Sequence, residues 1–210
     1  MFLEYASKDP RFFFTVCFVV VVSICLHELS HGVVAILHGD RTPIESGHMT
    51  MNPMVHMGGM SFLLLLLAGI AWGSMPVDPR RLRGRYAPAL VAAAGPACNI
   101  LIAFLALTVI ALQVVERWDF AQGVSYLLSI FGTMNIALAL FNLLPVPPLD
   151  GSRVMANLAP GSMDWMTGTG PGRGAMGIVL ILVFLFAGDF IFLWSQQIAG
   201  DYLSFAIRLL

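Results

Sequence analysis

Long apolar runs separated by short polar punctuation dominate this chain. Residues 11–38 form one run, long enough to span a hydrocarbon core of about 30 Å with some tilt. It stops at Gly39-Asp40-Arg41-Thr42-Pro43, with Gly just past the end and Pro beyond it. Residues 87–112 and 124–141 are further runs of helical character, and 175–194 is a last one. Residues 61–72 are apolar but marginal in length for a span, so this piece is expected to be re-entrant or to lie in the interface. Residues 44–60 differ from all of these. Glycines, prolines and short alternating pieces there predict a strand or hairpin with turns. Such backbone survives near a membrane only when buried in protein or lining a water-filled cavity, and it could offer an edge to an extended peptide. Residues 161–174 are glycine-rich and read as mobile, and residues 201–210 read as an amphipathic interfacial tail. The expected fold is an all-α polytopic membrane protein. It has about four to six membrane helices, a short membrane-associated hairpin and a re-entrant segment, in one integral membrane domain over residues 1–210.

Composition supports this and narrows the partners. Hydrophobic residues make up 58% of the 210 residues and charged residues only 11%, with a mean hydropathy of +0.84. A soluble domain carries about 25% charge. The lipid bilayer is therefore the expected surrounding. A net charge of −1 points to no nucleic-acid partner. Cys17, Cys25 and Cys98 lie in apolar runs without C-x-x-C spacing and read as small packed hydrophobes. Lys8 and Arg11 before the first run faintly resemble a signal peptide, but cleavage would remove the chemistry that this run carries.

That chemistry is Leu26-His27-Glu28-Leu29-Ser30-His31, an H-E-x-x-H motif inside a membrane-length helix. Residues four apart share a helix face, about 5–6 Å between Cβ atoms, so His27 and His31 can grip one metal ion. Glu28 lies beside that pair as a general base for metal-assisted hydrolysis. In a soluble helix the motif can be a solvated face at little cost. In a membrane-length apolar segment ionisable residues are expensive and functional. A zinc ion needs a third protein ligand. Asp150 is the best candidate, because Pro145, Pro147 and Pro148 stop the preceding helix and should present it from irregular backbone. His48 and His56 are rivals by closeness in sequence. Asn99, in the 87–112 run, can hydrogen-bond across a helix interface. Asp189 is expected near the far interface.

Three motifs together resemble the site-2 protease family of intramembrane zinc metalloproteases: H-E-L-S-H at His27–His31, G-P-x-x-N at Gly95–Asn99, and N-x-x-P-x-x-P-L-D-G at Asn142–Gly151. Their order and separation fit across most of the chain, and the combination is more specific than any one motif. The resemblance implies that His27, His31 and Asp150 are zinc ligands and Glu28 the catalytic base. It implies that Asn142 holds the substrate or the oxyanion. The substrates so implied are membrane proteins with a transmembrane helix, cut within the bacterial or archaeal cytoplasmic membrane. Residues 51–56 and 72–79 look like a small bacterial branch, without the PDZ or CBS domain of many members.

Two other classes compete: a membrane metal carrier built on the same three ligands, and an inactive relative that binds membrane proteins without cutting them. A carrier favours polar groups along several helices, whereas this sequence has one cluster. An inactive relative has no use for Glu28. Topology also follows from the ligand set. One ion must touch the C-terminal part of the first helix and the residue just past the 124–141 helix. That requires residues 61–72 not to cross, and it places Arg41, Arg80, Arg81, Arg83, Arg85, Arg153 and Arg173 on one side, the cytosol by the positive-inside rule.

Overall fold

The computed structural model describes residues 2–118, 122–161 and 172–210. After a 3₁₀ turn at Phe2–Glu4 come α1 (Tyr5–Lys8), α2 (Pro10–Leu37), α3 (Thr42–Glu45), α4 (Pro53–Ala68), α5 (Ala87–Val115), α6 (Gln122–Asn142), α7 (Asp150–Leu158) and α8 (Gly172–Leu209). The protein is an all-α polytopic membrane protein. Pro10–Leu37, Ala87–Val115 and Gly123–Asn142 are each long and apolar enough to cross a bilayer, with mean hydropathies of 2.3, 2.5 and 1.8.

Local rules place the ends of α2. The Asp9 carboxylate accepts from the Phe12 amide at 3.0 Å, and Pro10 occupies the first helical position. Gly39 takes φ +97, which an L side chain resists, and the helix stops there. Phe13, Val16, Val20, Ile24, His27 and His31 are buried along one face of α2 at helical spacing. Its apolar residues cluster with Met57 and Leu65 of α4 and with Ile130 and Met134 of α6, while His27 and His31 meet α5. Close approach of α5 and α6 depends on Gly132, where a Cβ would fall 2.5 Å from Leu107. The Arg11 guanidinium lies 4.4 Å over the Tyr126 ring, so α2 and α6 start at the same end of the bundle.

The hairpin expected over residues 44–60 does not form; among the described residues there is no strand. Asn52-Pro53 is a helix start instead. The Asn52 side chain accepts from the Met54 amide at 3.0 Å, and Pro53 sits at the first helical position. Gly58, at φ +66 and ψ 168, kinks α4 without ending it. Gly69 then caps α4 in the left-handed region. The chain returns in extended form antiparallel to the helix it has just left. The Trp72 amide donates to Ser61 Oγ at 2.9 Å, and the Ser74 amide to the His56 carbonyl at 3.0 Å. At the foot, the Asp78 amide donates to Asp40 Oδ2 at 2.7 Å and the Arg83 amide to the His38 carbonyl at 2.7 Å. The excursion over 53–78 thus leaves from and returns to the C-terminal end of α2, as a re-entrant segment does.

Two further expectations change. Asp150 is not on irregular backbone but opens α7, where Leu149 is extended and the proline run has ended. A carboxylate in the first turn is favoured by the helix dipole. The last span and the tail are one helix, Gly172–Leu209, because no proline interrupts it and Gly200 alone does not break it. In that helix Ala199 and Ala206 are buried, and the Tyr202 hydroxyl pairs with Thr108 Oγ1 at 2.7 Å. Residues 162–171, within the stretch read as mobile, lie outside the described residues.

Candidate metal centre

His27 and His31 project from α2, and α7 brings Asp150 to them. The edges of the triangle are His31 Nε2 to His27 Nε2 at 3.0 Å, His27 Nε2 to Asp150 Oδ2 at 3.1 Å and His31 Nε2 to Asp150 Oδ2 at 3.3 Å. All three residues are buried. His48 and His56 are not part of the group: His48 Nδ1 bonds Ser46, and His56 Nε2 donates to the Thr50 carbonyl at 2.7 Å. Asp189 is exposed on α8 and away from the cavity around the triangle.

The outer nitrogens decide what the inner ones can do. His31 Nδ1 lies 2.6 Å from the Val91 carbonyl, and His27 Nδ1 lies 2.5 Å from Asn99 Oδ1. Both partners only accept, so both Nδ1 atoms carry the proton and both Nε2 atoms point lone pairs inward. Two neutral imidazoles so arranged bring their lone pairs together with a carboxylate oxygen, and the three residues could hold a metal ion. Tetrahedral zinc with bonds of about 2.0–2.1 Å has ligand-to-ligand edges of about 3.3–3.4 Å, close to those found. Outer-nitrogen hydrogen bonds of this kind are what orient metal-ligating histidines.

Backbone of α5 and of the extended return presses directly on this group. A Cβ at Gly95 would fall 2.4 Å from His27 Nε2 and 2.5 Å from His31 Nε2. A Cβ at Gly73 would fall 2.6 Å from Glu28 Oε1. Gly95 therefore lets α5 close over the ligand atoms, and Gly73 lets the extended segment pass over the carboxylate. Gly151, beside Asp150, is packed as tightly: a Cβ there would lie 2.2 Å from the Leu143 carbonyl oxygen.

A cavity of about 1220 Å³ opens onto Glu28 and the ligand triangle. The extended segment with Gly73 and Met75, Val91 and Ala92 of α5, Phe141 and Asn142 of α6, and Arg153 and Asn157 of α7 line it. One amide hydrogen of Asn142 is used on its own helix, at the Leu138 carbonyl, 3.0 Å away.

Sequence reasoning missed two contributors. Gly73 lies within the 72–79 stretch noted for its family likeness, but nothing in that stretch marks the glycine itself. Asn135 is a polar residue outside any motif in a mostly apolar helix, yet it is fully buried and hydrogen-bonded to Asn99, Ser23 and a backbone carbonyl. Only its cost in an apolar span could have drawn attention to it.

Residues 112–186 match the sequence profile of peptidase family M50, a stretch that takes in Asn142 and Asp150. A Bacillus subtilis protein named as a zinc metalloprotease, YwhC, is 34% identical over 187 residues, covering 86% of this chain and 84% of the relative. A Mycolicibacterium smegmatis protein named as a zinc metalloprotease, Rip2, is 30% identical over 139 residues, 62% of this chain and 52% of the relative. A third, sll0528 of Synechocystis, also named as a zinc metalloprotease, is 32% identical over 136 residues, 65% of this chain and 29% of the relative. No solved structure gives a significant match. Likeness to YwhC over most of both chains, with the profile match across the second half, decides the family: this chain belongs to peptidase family M50, the site-2 proteases, and is a membrane-integral zinc metalloprotease.

Proposed function

We propose that this protein is an intramembrane endopeptidase of the bacterial or archaeal cytoplasmic membrane, cutting peptide bonds in or near the transmembrane segments of other membrane proteins in regulated proteolysis. The observation that carries the reading is the position of the cavity. It opens onto Glu28 and the ligand triangle at helix level, between α2 and α5, both of which are long enough to span the bilayer. Its volume exceeds the roughly 300–1,000 Å³ of ordinary small-molecule sites.

In this reading His27, His31 and Asp150 are the zinc ligands. Zinc, when bound, supplies Lewis acidity to a carbonyl oxygen and acidity to a water. Glu28 takes a proton from the attacking water and returns it to the leaving amine. Asn142, which lines the cavity, donates an amide hydrogen to the developing oxyanion. The substrate helix must unwind first, since a helical carbonyl is shielded and hydrogen-bonded. The edge for the unwound peptide is the extended return rather than a hairpin over 44–60. The amides of Ile70, Trp72 and Ser74 are turned to α4, bonding Leu64, Ser61 and His56. Alternation along extended backbone turns the amides of Gly73 and Met75 away from α4, and residues 70–77 all line the cavity.

A metal carrier would want ligand groups at more than one depth, and the described residues hold this one cluster. The deciding experiment uses Glu28→Gln in liposomes with a single-span substrate. Cleavage should be abolished while zinc content stays at the parental level, because Glu28 is not a ligand. Near-normal turnover by this variant would sink the mechanism.

A further inference from the structure

Beyond the metal ligands lies a chain of buried amides that the mechanism does not use. Asn99 Nδ2 donates to Asn135 Oδ1 at 2.7 Å, across from α5 to α6. Asn135 Nδ2 donates in turn to Ser23 Oγ of α2 at 2.8 Å and to the Phe131 carbonyl at 2.9 Å. Ser23, Asn99 and Asn135 are each 0% exposed. Each hydrogen bond in the chain points the same way, from His27 outward.

The direction has one cause. A backbone carbonyl can only accept, so the Asn135 atom facing Phe131 must be the amide nitrogen. That leaves Asn135 Oδ1 for Asn99, so Asn99 must present its nitrogen to Asn135 and its oxygen to His27. An oxygen there accepts only, so His27 must carry a proton on Nδ1, and the neutral imidazole is then bare on Nε2. Turning either amide over would set like groups against each other in a dry interior, at about 1–3 kcal/mol for each buried group left unpaired. We propose that Asn135 is a positioning residue for the metal centre: anchored on the Phe131 carbonyl, it orients Asn99 and thereby holds His27 in the tautomer that can ligate. Ser23 is a secondary partner, since its hydroxyl can donate or accept and imposes no direction.

The proposal rests on His27 being a metal ligand, and the test separates the two. Zinc affinity of the purified full chain in detergent is measured by competition with a chelator, and the visible spectrum of the cobalt-loaded protein reports the ligand field. Asn99→Leu and Asn135→Leu should each weaken zinc binding by about 10–100-fold, the usual effect of losing a histidine's outer partner. The double variant should lose no more than either single one, because both cut the same chain. Ser23→Ala should stay near the parental affinity. Should Asn135→Leu not fold, Asn135→Ser reads the same link, with a hydroxyl that sits nearer the backbone than the lost amide. Parental zinc affinity and cobalt spectrum in the Asn135 variants, with only the melting temperature lowered, would make the residue a packing element and overturn the proposal. Independent losses that multiply in the double variant would overturn it too. Unchanged zinc affinity in His27→Ala would instead remove the ligand assignment beneath it.

Discussion

At the residue scale, the metal centre depends as much on side chains that are missing as on those that are present. His27, Glu28 and His31 are legible in the sequence because helical spacing alone puts them together. Gly95 is legible only as part of a motif; its physical reason appears when α5 is laid across the two imidazoles. Gly95→Ala should weaken zinc binding by about 10–100-fold, comparable to disturbing a ligand's orientation, as measured by chelator competition. Gly73→Ala should act differently. Its methyl group would meet the Glu28 carboxylate rather than a ligand, so zinc content should hold while turnover falls by about 10²-fold, the scale of an ångström-sized misplacement. A Gly73→Ala enzyme with parental turnover would show that the extended segment yields without moving Glu28. Asn135 escaped the sequence reading because its partners are 36 and 112 residues distant, and no local pattern announces such contacts.

At the scale of elements, the first three long spans were readable from apolar length, and their observed ends lie close to the expected ones, whereas the last helix runs on to Leu209. The shortness of the apolar piece at residues 61–72 was also readable, and most of it lies in a helix of only 16 residues, Pro53–Ala68. The misreading of residues 44–60 has a clear origin: Asn-Pro serves equally as a turn and as a helix cap, and kinking glycines mimic hairpin punctuation. What holds the re-entrant excursion to α2 is Asp40. Its Oδ1 accepts from the Thr42 amide at 2.9 Å and from the Thr42 hydroxyl at 2.5 Å, while Oδ2 accepts from the Asp78 amide. Burial pushes its carboxyl up, but these hydrogen bonds from Thr42 and Asp78, with Arg81 nearby, hold it below the usual range. A depressed pKa means that the anchor contributes fully above the unfolded value of about 3.9 and is lost as pH falls through the lower folded value. Asp40→Asn should cost about 1–3 kcal/mol locally, since one donor is left facing another. Amide exchange over residues 70–78 should accelerate at neutral pH in the variant, and in the parent only in strong acid. Equal exchange in both proteins at pH 7 would remove Asp40 from this role.

At the scale of the whole molecule, the two ends of the bundle are distinct. One end gathers the C-terminus of α2, the arginine loop and α7, joined by Arg81 to Glu45 at 2.6 Å and by Asn157 Nδ2 to the Arg85 carbonyl at 3.2 Å. The other gathers the start of α2, the end of α5 and the start of α6. Single cysteines at Arg41, Arg83 and Glu116 in a cysteine-free background should therefore label in two groups with an impermeant thiol reagent: Arg41 with Arg83, and Glu116 opposite, the arginine group cytosolic by its charge. Labelling of Arg41 and Arg83 from opposite faces would contradict the re-entrant excursion. The ligand triangle has one more consequence at this scale. Two of its corners belong to a long spanning helix and the third to the short α7, which is reached through a proline-rich connection. An ion held there is a clasp between the two, and by mass action its binding free energy adds to the cohesion of whatever it joins. Chelation should therefore loosen α7 and the lower cavity wall first, while α2, α5 and α6 stay locked by their buried amides. Metal supply then governs the mechanical integrity of the protein as well as its chemistry.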